Sequence, residues 1–331
     1  MRLLKILLGT AIVLFIVYWL GPHPATPVYA VELPTIPSEP TALINYVQQE
    51  ESKHLVKKDN EAEIVWADTI SKKKTTYAIV YLPGFSASKM EGAPTHLNVA
   101  KKFGCNLYLA RLSQHGIDTA DALINLTADN LWETAKQAYA IGKQLGDKVI
   151  LMGTSTGGTL ALQLAATYPD VAGLILYSPN IAVNDPNAWL LNNPWGLQIA
   201  RLVKGSNYNI IPADTVYAKY WNTKYRLEAL TSLEELVETK MTPSTFQAVK
   251  QPVLTLYYYK DEQHQDPVVK VTATKAMFDQ LGTARELKRA LAMPNTGNHV
   301  IGSPILSKDA IGVEQQTIGF LQEIMHLNPI K

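Results

Sequence analysis

Gly153-Thr154-Ser155-Thr156-Gly157-Gly158 is the segment of this 331-residue sequence whose residue types and spacing point most directly to chemistry. It follows the apolar run Val149–Met152 and opens a stretch rich in alanine and leucine, from Thr156 to Tyr168. A serine on a sharp strand-to-helix turn adopts a strained backbone, and glycines two residues to either side relieve the crowding. Its hydroxyl then projects at the positive end of a helix, where it can attack a carbonyl carbon while nearby N–H groups stabilise the oxyanion. A phosphate-binding loop is a poor rival, because no Lys-Ser or Lys-Thr follows the glycines. A serine nucleophile needs a general base and a group that orients it, and seven histidines compete for the first role.

The elements that would position these groups alternate along the chain. Ile64–Trp66, Tyr77–Leu82, Leu107–Ala110, Val149–Met152, Leu174–Tyr177 and Val253–Tyr258 read as buried strands. Helical spacing marks Asp129 to Leu145 and Thr156 to Tyr168. Such alternation predicts an α/β domain with a mostly parallel central sheet flanked by helices. From about residue 181 to 251 the rhythm breaks: no strand-like run appears, Trp189, Trp195, Trp221 and several tyrosines cluster, and Leu227–Met241 is amphipathic. This excursion predicts a helical cap over the sheet, with extra crossover helices as the other reading.

Ahead of the domain, Arg2 and Lys5 flank an apolar run from Ile6 to Gly21. Its length suits a transmembrane anchor over residues 1–21, and the bulky Trp19-Leu20-Gly21-Pro22 argues against a cleaved signal sequence and a secreted product. Cationic residues before the span place the N-terminus in the cytoplasm and the catalytic domain on the extracytoplasmic side. Residues 22–55 begin with six prolines in about twenty residues, a stiff spacer of about 3.1 Å per residue unless it wraps onto the domain. The domain itself is expected over 56–331. A formal net charge of +1 gives no reason to expect nucleic acid. The lone Cys105 excludes an internal disulfide and a multi-thiolate zinc site.

From about Tyr77 onward the chain resembles the α/β-hydrolase fold family, in particular serine esterases and monoacylglycerol-lipase-like hydrolases. The resemblance rests on the Gly153–Gly157 elbow, on Pro83-Gly84-Phe85-Ser86 after a strand, and on Leu112-Ser113-Gln114-His115-Gly116 after the next. It implies a helical cap inserted after the sixth strand and a triad in the order Ser, acid, His. By position it implies oxyanion donors at the backbone N–H groups of Phe85 and Thr156. Pro83 stands where the family usually has histidine, and His115 reads as structural. The acid matches Asp261, with Asp266 as runner-up and Glu262 behind it. The base matches His299 in Pro294–Ile301. His23, His54, His96 and His326 fall in the linker, a charged stretch, a surface-like segment and the C-terminal helix. His264 beside Asp266 is a weak metal pair, so neither metal nor cofactor is expected.

The resemblance therefore implies a carboxylic-ester hydrolase acting through an acyl-enzyme on a small-molecule ester with an apolar acyl group. A thioesterase, peptidase or acyltransferase would use the same triad. A non-catalytic binding protein on the same fold is the reading from a different class.

Overall fold

The computed structural model describes residues 2–330. Helix α1 (Arg2–Trp19) is exposed along its whole length and has a mean hydropathy of 1.9, long and apolar enough to cross a membrane. By composition it suits an anchor or a signal sequence equally.

The following segment is no free spacer. Ala30, Val31 and Glu32 lend backbone carbonyls to Trp132 Nε1 at 2.7 Å, Tyr168 Oη at 2.6 Å and Lys136 Nζ at 3.0 Å. Residues 28–33 pair with no helix or strand, so their carbonyls are free to accept from donors projecting from the domain surface. Next comes α2 (Pro40–Ser52), capped by the Glu39 side chain, which buries Leu43 and Val47 in the core of the domain. The spacer expected over 22–55 thus lies along the domain and contributes to its packing.

The main sheet is built from β1 (Glu63–Val65), β2 (Thr75–Leu82), β3 (Asn106–Leu109), β4 (Gly146–Thr154), β5 (Val171–Tyr177) and two later strands. Between them run α3 (Thr95–Phe103), α4 (Ala128–Leu145) and α5 (Thr156–Thr167). Beyond β5 the chain leaves the sheet for α6 (Gly196–Lys204), β6 (Tyr208–Ile210), α7 (Thr215–Tyr220), β7 (Lys224–Arg226), α8 (Glu228–Lys240) and α9 (Pro243–Ala248). It returns as β8 (Val253–Tyr257), α10 (Val271–Gln280), β9 (Lys288–Ala292) and α11 (Ala310–Glu323).

The strand order is β1-β3-β2-β4-β5-β8-β9, with β1 antiparallel to β3 and every other pairing parallel. Successive side chains of a strand point to opposite faces. Ala78, Val80 and Leu82 therefore join the core under α4 and α5, while Ile79 and Tyr81 join the core under α3 and α11. A parallel sheet covered on both faces gathers its strand ends along one edge, where open α/β sheets bind ligands. The insertion over that edge differs from expectation in two respects. It follows the fifth strand of this chain rather than the sixth, and it carries a two-stranded ribbon, β6 with β7, among its helices. Each ribbon strand has only three residues, too few to show an alternating pattern.

Candidate active site

Ser155 joins β4 to α5 with φ 52° and ψ −118°, a left-handed conformation that costs a side-chain-bearing residue on the order of 1–3 kcal/mol. The turn is over-determined by its neighbours. Ser155 N–H donates to Tyr177 O at 2.9 Å, and Ser155 O accepts from Gly158 N at 2.9 Å and Asn180 N at 3.0 Å. Side chains at the flanking glycines are impossible: one at Gly153 would strike the Gly157 carbonyl, and one at Gly157 would strike that of Leu82. The spacing of the motif is thus explained by the crossing of two backbones, and the serine is left at the end of the sheet.

His299 lies in the loop between β9 and α11 and is buried. Its Nδ1–H donates to Asp266 Oδ2 at 2.7 Å. Asp266 is 1% exposed, and its other oxygen accepts from Val268 N at 2.8 Å and Val269 N at 3.1 Å. Burial works to raise the Asp266 carboxyl, but the neighbouring imidazole and these hydrogen bonds outweigh it and hold the group below the usual carboxylate range. Burial works to lower His299, and the Asp266 charge and hydrogen bond, with Glu91 behind them, bring it above its ordinary value.

Asp261 does not reach His299. It is an exposed turn residue whose Oδ1 accepts from His264 Nδ1 at 2.8 Å, from His264 N at 2.8 Å and from Gln263 N at 3.0 Å. After β8 the chain makes a short excursion closed by a bridge between Tyr259 and Gln265, and Asp266 N–H then donates to Tyr258 O at 3.1 Å. That return carries Asp266, not Asp261, back to the sheet edge. Glu262 binds Tyr259 Oη on the same exposed turn.

Ser155 and His299 line one cavity of about 690 Å³, together with Phe85, Ser86 and Glu91 below and the insertion above. Leu190, Ile199, Val203, Tyr217, Trp221, Tyr225, Leu230 and Leu233 give that roof its apolar character. Phe85 sits edge-on against Tyr225 and His115. His115 is wholly buried with Nδ1 against Ser113 O at 2.7 Å, and burial depresses it to about 4, so it packs as a neutral ring. His96, expected near the surface, is also buried, lies against the Tyr81 ring and is depressed to about 4 by burial.

Glu91 was not foreseen. It stands on a short 3₁₀ turn, Lys89–Gly92, is 2% exposed, and its Oε2 accepts from Gly84 N at 2.5 Å. Burial raises its carboxyl to about 7, against the lowering effect of the Gly84 N–H and of His299. Pro83-Gly84-Phe85 offered no charged residue to support the loop, so a carboxylate seven positions further on had no local signal. Among the described residues no group of three or more metal-ligating side chains comes together.

Residues 126–293 match the family model described as serine aminopeptidase, S33, also called Hydrolase_4. The chain belongs to this family. Solved structures support the α/β-hydrolase fold of the family member described above. A metagenome-derived lipolytic enzyme of the LipS and LipT pair superposes with a TM-score of 0.62 at 17% identity, covering 81% of this chain and 99% of its own. Est1E from Butyrivibrio proteoclasticus, solved with ferulic acid bound, gives 0.54 at 16% identity, covering 80% and 95%. The Pyrococcus furiosus esterase Pf2001 gives 0.53 at 14% identity, covering 92% and 99%. None of the curated proteins matches the sequence. At these identities the neighbours speak for the fold of this S33-family chain, and its chemistry rests on its own residues.

Proposed function

We propose that this chain is a serine hydrolase that cleaves carboxylic esters of small amphiphiles through an acyl-enzyme, with Ser155 as nucleophile, His299 as base and Asp266 as acid. One observation carries the reading: the strained Ser155 opens into the same cavity as a buried His299 whose far nitrogen is held by a buried carboxylate. His299 Nε2 takes the Ser155 proton as Oγ attacks the acyl carbon. Asp266 fixes the tautomer and stabilises the imidazolium without taking the proton. The N–H groups of Phe85 and Thr156 bind the oxyanion, a contribution of about 3 kcal/mol per donor in related chemistry. His299 returns the proton to the leaving alcohol, then activates the water that releases the acid. The apolar roof selects an apolar acyl group.

We read α1 as an uncleaved anchor, with Arg2 and Lys5 on the cytoplasmic side and the domain on the other. A secreted product would follow if α1 were removed as a signal sequence.

A peptidase is the second reading, favoured by Glu234. This residue lines the cavity, is 5% exposed, and its Oε2 has no hydrogen-bond partner among the described residues. Burial and the nearby Glu238 charge raise its carboxyl to about 7, so a protonated amine of an aminoacyl substrate would find a partner there.

Labelling with a fluorophosphonate probe tests the chemistry: the wild-type chain takes the label and Ser155→Ala does not. Equal absence of label in both ends the serine-hydrolase reading. p-Nitrophenyl esters of rising acyl length, set against aminoacyl p-nitroanilides, separate the two substrates. Turnover of the anilides alone assigns the peptidase.

A further inference from the structure

The end of α1 is tied to the start of α6. Trp195, the residue before α6, donates its backbone N–H to Pro22 O at 2.9 Å and its indole Nε1–H to Val17 O at 3.0 Å. Val17 belongs to the last turn of α1, one residue from Tyr18 and two from Trp19. An 18-residue helix at about 1.5 Å per residue is about 27 Å long, close to the hydrocarbon thickness of a bilayer. Tyr18, Trp19 and Trp195 therefore fall at one level, and tyrosine and tryptophan favour the membrane–water boundary.

Helix α6 itself is apolar on the outside as well as the inside. Leu202 is 83% and Val203 78% exposed, and Ile199 is partly so, while Ile199, Ala200 and Val203 also line the cavity. Its charged residues are basic: Arg201, paired with Glu228 at 2.7 Å, and Lys204 in the last turn. An amphipathic helix with basic residues and exposed apolar side chains lies in the headgroup region rather than across the bilayer.

We propose that α6 rests in the membrane interface beside the end of α1, so that the cavity takes a single-chain acyl ester sideways from the lipid layer. The proposal rests on the ester-hydrolase and anchor readings above and adds the surface through which the substrate arrives. Its carrying observation is the continuity between the anchor end and the exposed face. A protein partner on this face would have to share it with the bilayer that surrounds α1.

The full-length protein is reconstituted into phosphatidylcholine–phosphatidylglycerol vesicles containing brominated lipid, with an environment-sensitive dye at Leu202→Cys or, as control, Ile70→Cys. Cys105 is buried with its thiol pushed up to about 12, so it leaves the labelling to the introduced thiol. Ile70 is 93% exposed and outside the cap. Quenching at 202 with none at 70 is the expected result; equal absence of quenching at both overturns the proposal. In parallel, Leu202→Asp should hydrolyse a soluble short-chain ester as the wild type does, yet lose about tenfold on a monoacyl ester carried in vesicles. Equal rates on both substrates overturn it. Disulfide formation between Leu202→Cys copies, in place of lipid quenching, assigns the face to a second copy and also overturns it. If the wild type neither labels with fluorophosphonate nor turns over any ester, the hydrolase reading fails, and the quenching result still decides where α6 lies.

Discussion

Glu91 holds the amide of Gly84 with a hydrogen bond of 2.5 Å, immediately ahead of the Phe85 peptide in the loop that faces the Ser155 cavity. An ideal Cβ placed on Gly84 would lie 2.8 Å from Glu91 Oε1 and 3.1 Å from Ser155 Cβ, so the carboxyl, the loop and the serine are packed in one layer. The loop is anchored by a buried group of adjustable charge.

Removing that anchor should slow chemistry more than binding. Glu91→Ala leaves the buried Gly84 N–H without its acceptor, and kcat for the preferred ester is expected to fall by about 10-fold or more with KM little changed. Glu91→Gln keeps an acceptor oxygen and should recover most of that loss. Its pH profile differs, because a negative Glu91 helps to raise His299. Without that charge His299 loses its proton at lower pH, so the acid limb of kcat/KM moves down; steady-state profiles of both variants check this.

The same carboxyl has a stability signature. Its folded value of about 7 lies above its ordinary 4.5, so the folded state holds the proton more tightly than the unfolded chain. Its contribution is fully present below about 4.5 and is lost as pH rises through about 7. Asp266 works in the opposite direction: its stabilisation is present above the ordinary carboxylate range and is lost as pH falls through its lowered value. Urea unfolding of wild type and Glu91→Gln across pH 5–8 should show the variant with the flatter dependence.

Two nearby aspartates should separate cleanly. Asp266→Asn leaves His299 in the wrong tautomer and is expected to lower kcat by about 10³–10⁴-fold. Asp261→Asn changes an exposed turn and should stay within about twofold of wild type. Burst kinetics on an activated ester compares them, and a reversal of the two effects would restore Asp261 to the triad.

Backbone strain at Ser155 predicts a gain as well as a loss. Ser155→Ala abolishes labelling but keeps a Cβ at φ 52°. Ser155→Gly relieves the strain and should be more stable than Ser155→Ala by about 1 kcal/mol after the entropy cost of glycine, and so melt at the higher temperature. Paired thermal melts read the difference.

Leu43 tests whether the segment after α1 belongs to the domain. It is 1% exposed on α2, and Leu43→Ala should destabilise the domain by about 2–5 kcal/mol in a denaturant titration. A free spacer would show no change.

The sheet was legible because its strands are buried on both faces and read as unbroken apolar runs, such as Ile79–Leu82 and Ile150–Met152. Ser155 was legible because its glycines answer a local steric demand. Spacing along the chain ranked Asp266 behind Asp261, because a bridge between Tyr259 and Gln265 folds the five residues between them out of the path. A signal was present in Asp266-Pro267-Val268-Val269, since an aspartate before proline often caps the following amides, as it does here. Glu91 and the course of residues 22–39 depend on partners distant in sequence: Gly84 and His299 lie together only in the fold, and Trp132, Lys136 and Tyr168 meet the carbonyls of residues 30–32 only after α4 and α5 are packed.

The carbonyls of Ala30, Val31 and Glu32, clasped by Trp132, Tyr168 and Lys136, leave the domain almost no tether to play out. A long leash would let one enzyme patrol solution or reach across to a facing membrane. Under the anchor reading proposed for α1, each copy belted down in this way grazes only the leaflet that holds that helix, and its encounters with substrate become a two-dimensional search whose pace is set by lateral diffusion.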